Sequence, residues 1–131
     1  MICLVVDDEK DTRDVVMLTL SAQGFGVKGA ENLYLALDVL KSSKNESVEM
    51  MLLDWNLPGM PMETFLAQVR EIRPEITIVL STASFRVEAK ARQLKLNWWL
   101  PKPILPEALI QVTSMIASQK GLPRPAKDTC A

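Results

Sequence analysis

The side chains of this 131-residue chain that could do polar chemistry stand where short apolar runs stop. Asp7, Asp8 and Glu9 follow "ICLVV", and Asp54 follows "MMLL". Ser81 and Thr82 follow "ITIVL", and Lys102 follows "WWLP". Each has an ordinary explanation when taken singly. An acid before a helix is often an N-cap, as Asp7 or Asp8 would be for a helix after Lys10. A strand-end hydroxyl is often a turn residue, and a lone lysine is usually solvated. Asp54 is harder to dismiss, because a carboxylate closing a buried run costs on the order of several kcal/mol if it finds no partner.

The elements that must position these residues follow from hydrophobic periodicity. Strands are expected at Ile2–Val6, Phe25–Ala30, Met50–Leu53, Ile76–Leu80 and Trp98–Leu100. Most of these are continuous apolar runs, as in parallel strands covered on both faces. Amphipathic segments lie between them. Val15, Leu18 and Ala22 share a face that stops near Gly24. Leu33, Leu37 and Leu40 share another, as do Met62, Phe65, Leu66 and Val69. Residues 84–94 are more polar, with Val87, Ala91 and Leu94 to bury. Glu107–Ser118 starts after Pro106 and buries Leu109, Val112 and Ile116. Strand alternating with helix predicts an α/β fold with a parallel sheet. In such a sheet every strand ends on the same edge, which is where open α/β sheets bind ligands. Asp7, Asp8, Asp54, Ser81, Thr82 and Lys102 therefore converge. Clustered carboxylates repel and call for a cation, and oxygen-only ligands favour Mg²⁺ over zinc.

Composition narrows the rest. The chain is 48% hydrophobic and 24% charged, and its 15 basic residues balance 16 acidic ones. No global field argues for nucleic acid or an anionic membrane. No apolar run approaches the ~20 residues of a bilayer span, and the N-terminus does not read as a signal peptide. The absence of histidine excludes His-based catalysis. Cys3 reads as a small core residue and Cys130 as part of a tail, so a reduced, cytoplasmic setting is expected. From residue 120 the text loses periodicity, giving one domain over 1–119 and a linker or tail over 120–131.

The set "VVDDE", "LLDWNLPGM", "STAS" and "LPKP" resembles the response-regulator receiver domain of two-component signalling, similar to single-domain chemotaxis regulators. The resemblance implies a flavodoxin-like, doubly wound five-stranded sheet of order 2-1-3-4-5 with five helices. It implies that Asp54 accepts a phosphoryl group, that Asp8 and Asp54 ligate Mg²⁺ directly, that Asp7 does so through water, and that Asn56 offers its backbone carbonyl. Lys102 is the second cation on the phosphoryl group, with the Thr82 hydroxyl and the Ala83 amide as donors. Ser81 is left as a strand residue, and the Lys102–Pro103 bond is cis in the family. Thr82 and residue 99 form the switch. Here Trp98 stands where a small residue is usual and Trp99 where Tyr or Phe is usual, which puts that switch in question. Ser84 and Asn56 occupy positions that tune the phosphoryl lifetime.

The implied function is to take a phosphoryl group from a histidine kinase or phosphotransfer protein. The domain then changes its helix 4–strand 5–helix 5 surface to control a partner or output domain, fused or separate. It is not an enzyme beyond its own phosphorylation and dephosphorylation. It makes no direct contact with nucleic acid or membrane, and phosphorylation-dependent dimerisation is open to it. Two alternatives differ from this pattern. A Mg²⁺-dependent phosphohydrolase with an aspartate nucleophile would show Asp-x-Asp after the first strand. A receiver-like module that works without phosphorylation would have no need of every key position.

Overall fold

The computed structural model describes residues 1–42, 48–83 and 86–121. In chain order the elements are β1 (Ile2–Val6), α1 (Lys10–Ala22), β2 (Gly26–Ala30), α2 (Leu33–Ser42) and β3 (Val48–Asp54). They continue with α3 (Met62–Ile72), β4 (Thr77–Thr82), α4 (Val87–Gln93), β5 (Trp98–Pro101) and α5 (Pro106–Gln119). The five strands are parallel and lie in the order β2-β1-β3-β4-β5. This is the architecture that the resemblance implied.

Successive side chains of a strand point to opposite faces, and the core divides accordingly. One face carries Leu4, Val6, Met51, Leu53, Ile78 and Leu80 beneath α2, α3 and α4. The other carries Cys3, Val5, Met50, Leu52, Val79 and Leu100 beneath α1 and α5. Trp99 packs on the first face and Trp98 on the second, so the two adjacent indoles do separate as a strand requires. Cys3 is a buried core residue as expected.

Several expected bounds and faces are corrected. β3 and β4 run on through Asp54 and Thr82, because Asp54 pairs with Ser81 and Thr82 with Pro101 in the ladder. The polar residues thus occupy the last strand positions and do not follow them. In α1 the buried residues are Val16 and Leu20, while Val15, Leu18 and Ala22 face solvent. The run "VVMLTL" is apolar at nearly every position, so i,i+3 and i,i+4 stripes fit it equally. Packing against β1 and β2 selects the second. α5 buries Leu109 and Ile116 as expected, but Val112 is half-buried and Thr113 and Ala117 complete the face.

Helix starts also differ from expectation. Glu9, and neither Asp7 nor Asp8, takes the N-cap position of α1, and it makes no side-chain cap bond. Asn32 Oδ1 accepts the Leu35 N–H at 2.8 Å, a cap at the start of α2. α4 spans only Val87–Gln93; its buried contacts, Val87, Ala91 and the following Leu94, are those expected. Ser84, with its expected influence on phosphoryl lifetime, lies outside the described residues, as does Cys130. The tail expected over 120–131 lies outside them from residue 122 onward. Among the described residues no helix is long and apolar enough to cross a membrane.

Candidate functional site

The strand ends assemble the site on one edge of the sheet. β1 leads into Asp7 and Asp8, β3 ends on Asp54, and β5 leads into Lys102. Carboxylate oxygens of Asp7, Asp8 and Asp54 lie within 4.8 Å of one another. Asp7 is 4% exposed and Asp54 5%, whereas Asp8 is open to solvent. Lys102 Nζ lies 2.8 Å from Asp7 Oδ2 and 3.3 Å from Asp54 Oδ2. One ammonium thus offsets the repulsion between two nearly buried carboxylates.

The remaining oxygen of each buried acid is held by its own loop. Asp7 Oδ1 accepts the Glu9 N–H at 2.9 Å, and Asp54 Oδ1 accepts the Asn56 N–H at 3.2 Å. Arg13 of α1 donates from Nη1 to the Asp7 carbonyl at 2.7 Å. Burial pushes the Asp54 carboxyl above its ordinary value. The Asn56 N–H and the Lys102 charge oppose that shift, and the Asp7 charge adds to it. Burial alone would lower the Lys102 ammonium. Its hydrogen bond to Asp7 and the charges of Asp54 and Asp7 outweigh that and raise it. A more basic carboxylate is a better nucleophile, and a firmly protonated lysine is a dependable cation.

The predicted hydroxyls are close by. Thr82 is fully buried, on the face that also holds Trp99, and its carbonyl accepts the Lys102 N–H at 3.0 Å. In the ladder Trp99 stands opposite Leu80, two residues before Thr82, so Thr82 and Trp99 share a neighbourhood. The Lys102–Pro103 bond is cis. Ala83 is exposed and lines an open cleft of about 520 Å³, with Glu9, Thr12, Val15, Lys102 and Ile104. The donor set fits Mg²⁺: every candidate ligand atom is an oxygen, three carboxylates converge, and Asp7 and Asp54 already hold a cationic group between them.

Other contacts around the site were not anticipated from the sequence. The Tyr34 hydroxyl of α2 donates to the Gly59 carbonyl at 2.8 Å, pinning the loop that carries Asn56. A Cβ at Gly59 would lie 2.9 Å from the Tyr34 ring, and φ there is +121°, so this position requires glycine. Lys90 of α4 sits 4.3 Å above the centre of the Trp55 ring. Both contacts join residues far apart in the chain, and no local pattern announces them.

Residues 3–114 match the family model described as the response regulator receiver domain. The phosphate regulon transcriptional regulatory protein PhoB of Pseudomonas aeruginosa is 27% identical over 90% of this chain, which spans 52% of PhoB. A chemotaxis protein CheY homolog of Campylobacter jejuni is 32% identical over 81% of this chain and 84% of its own length. The crystal structure of a CheY-like receiver domain protein from Methanospirillum hungatei superposes with a TM-score of 0.75. It is 22% identical and covers 92% of this chain and 96% of the other, a likeness of fold.

Proposed function

We propose, from the premise that this chain belongs to the response-regulator receiver family of two-component signalling, that Asp54 is its phosphoacceptor and that Lys102 is the cation that moves onto the incoming phosphoryl group. Accepting a phosphoryl group is the standard function of such domains, and the assignment of roles to residues is our reading. The observation that carries it is the position of Lys102 Nζ, bridging Asp7 and Asp54 at 2.8 and 3.3 Å. A cation held there by two carboxylates can transfer its contact to an anion arriving at Asp54.

In the step itself an Asp54 oxygen attacks phosphorus. A new O–P bond forms while the bond to the donor's nitrogen or oxygen breaks. The departing atom keeps that electron pair: a histidine nitrogen takes up a proton and leaves as neutral imidazole, and a carboxylate oxygen leaves as the anion. Asp54 needs no general base, since it reacts as the anion. Positioning and charge neutralisation supply most of the acceleration. Receiver domains bind Mg²⁺ at an acidic pocket. Here Asp8, Asp54 and the Asn56 carbonyl would hold it, with Asp7 acting through water. Bound there, the ion would neutralise charge between the carboxylates and the phosphoryl oxygens. The Thr82 hydroxyl and the Ala83 amide are the donors left for the remaining oxygens.

The donor would be a histidine kinase or phosphotransfer protein, approaching across the cleft beside Lys102. Val15, which lines that cleft, is 59% exposed, and Leu18 of the same helix and Leu105 are 72% and 61% exposed. The face of α1 that does not enter the core is thereby given to a partner. Movement of Thr82 toward the phosphoryl group would free space near Trp99, and the α4–β5–α5 surface would carry the change to an output domain or protein. α4 is the shortest helix among the described residues. A cytoplasmic setting goes with this reading.

Incubation with acetyl phosphate and Mg²⁺ should add ~80 Da, one phosphoryl group, at Asp54 and nowhere else. Mass spectrometry of the Asp54→Asn variant should show no adduct, and an undiminished adduct would sink the assignment.

A further inference from the structure

Among the described residues, Ser81 Oγ is the buried side-chain polar atom left without a hydrogen-bond partner, on a residue only 1% exposed. A buried hydroxyl in that condition is costly and uncommon in folded proteins. An aliphatic side chain would fill the position without the cost, so the hydroxyl calls for an explanation.

Its place in the ladder supplies one. Ser81 lies opposite Asp54 on one side and opposite Leu100 on the other. Val79, Leu52 and Leu100 all belong to the core beneath α1 and α5. By alternation Ser81 and Asp54, each two residues further along its strand, project to that same face. Thr82 projects to the opposite one, so it cannot stand in for Ser81. Adjacent strands run about 4.8 Å apart, which brings the Ser81 hydroxyl within a side chain's reach of the Asp54 carboxylate. Ser81 is also fixed in place, since its carbonyl accepts the Trp55 N–H at 2.8 Å.

At rest, Asp54 Oδ2 is engaged by Lys102 and Oδ1 by the Asn56 N–H. We infer that Ser81 is a positioning residue for the phosphorylated state: its hydroxyl donates to the Asp54 side chain once a phosphoryl group has drawn Lys102 away. The inference rests on Asp54 being the phosphoacceptor. The unpartnered hydroxyl of the resting state is then a donor held in reserve, which favours the phosphorylated form over the resting one. This role is separate from that of Thr82, which serves the phosphoryl oxygens from the other face.

The test uses the full chain, with beryllofluoride plus Mg²⁺ as the phosphoryl mimic. Ser81→Ala should melt at or above the wild-type temperature without the mimic, because an unsatisfied group has been removed. The same variant should bind the mimic about fivefold more weakly, the loss expected for one hydrogen bond to an uncharged acyl oxygen. Since volume also matters in a buried site, the matched pair Ser81→Thr and Ser81→Val separates hydroxyl from size. The threonine variant should bind the mimic more tightly than the valine variant. Binding by Ser81→Ala within twofold of wild type, or equal binding by Thr and Val, overturns the inference. A wild-type chain that takes up neither beryllofluoride nor phosphoryl group removes the reading of Asp54 first, and this inference with it.

Discussion

The two faces of the sheet do different work. The face beneath α2, α3 and α4 has the larger core and includes the fully buried Phe65, Leu33, Leu40 and Leu66. It holds the Thr82–Trp99 neighbourhood and the stack of Lys90 on Trp55. The face beneath α1 and α5 has the smaller core, and Asp54 projects toward it at the sheet edge. Buried charge has been placed where less apolar packing surrounds it and where a cleft opens to solvent. The phosphoryl group would thus be received on one side of a strand and sensed on the other, through residues adjacent in sequence: Ser81 with Thr82, and Asp54 with Trp55.

The comparison can be broken most severely on the smaller face. Leu20 is fully buried and Leu18 is 72% exposed on the same helix. Leu20→Ala should lose about 2–5 kcal/mol in urea unfolding, and Leu18→Ser less than about 0.5. A large loss from the Leu18 variant would mean that α1 packs on the stripe first expected from its sequence.

Next in size is the ion-pair cluster. Lys102→Met leaves Asp7 and Asp54 close together without their cation and should cost about 3 kcal/mol. Mg²⁺ held among these carboxylates would favour the native state and relieve the same repulsion, so it should raise the melting temperature of this variant more than that of wild type. An equal or smaller rise would detach Lys102 from the metal site.

The smallest effect belongs to the larger face. Lys90→Met removes the cation from above Trp55 and should cost about 0.5–1 kcal/mol. If the two faces communicate through Trp55, the variant should also alter the change in Trp55 emission on adding beryllofluoride. This is best read in a background carrying Trp98→Phe and Trp99→Phe. An unaltered emission change would confine Lys90 to local packing.

Much of this was legible in the sequence because the relevant signals were local. A continuous apolar run ending in Asp54 specifies both a buried strand and the point where its last residue meets the sheet edge. The parallel topology then brings Asp7, Asp8 and Lys102 to the same place. The face of α1 was not legible, because "VVMLTL" offers two apolar stripes and only tertiary packing chooses between them. Nor were Tyr34 on Gly59, Lys90 on Trp55 or Arg13 on the Asp7 carbonyl, since polar contacts between separate elements leave no periodicity to read. The state of the Ser81 hydroxyl was not legible for a related reason. Its type suits a strand end, and only the folded structure shows that its hydroxyl is buried without a partner and that the residue pairs with Asp54 in the ladder.

At the far end of the molecule, Lys120 closes α5 by donating to the Glu75 carbonyl at 2.6 Å and reaching the Glu49 carboxylate at 3.6 Å. Glu75 precedes β4 and Glu49 sits near the start of β3, so α5 is moored at the amino edge of the sheet, opposite Asp54. α5 is thereby anchored at the end remote from the chemistry. Its other end, at Pro106, adjoins the loop that carries Lys102. Motion of that loop would tilt the helix about its mooring. Anything tethered after Gly121 would then feel a change of angle with little change of position, which suits a signal carried by orientation.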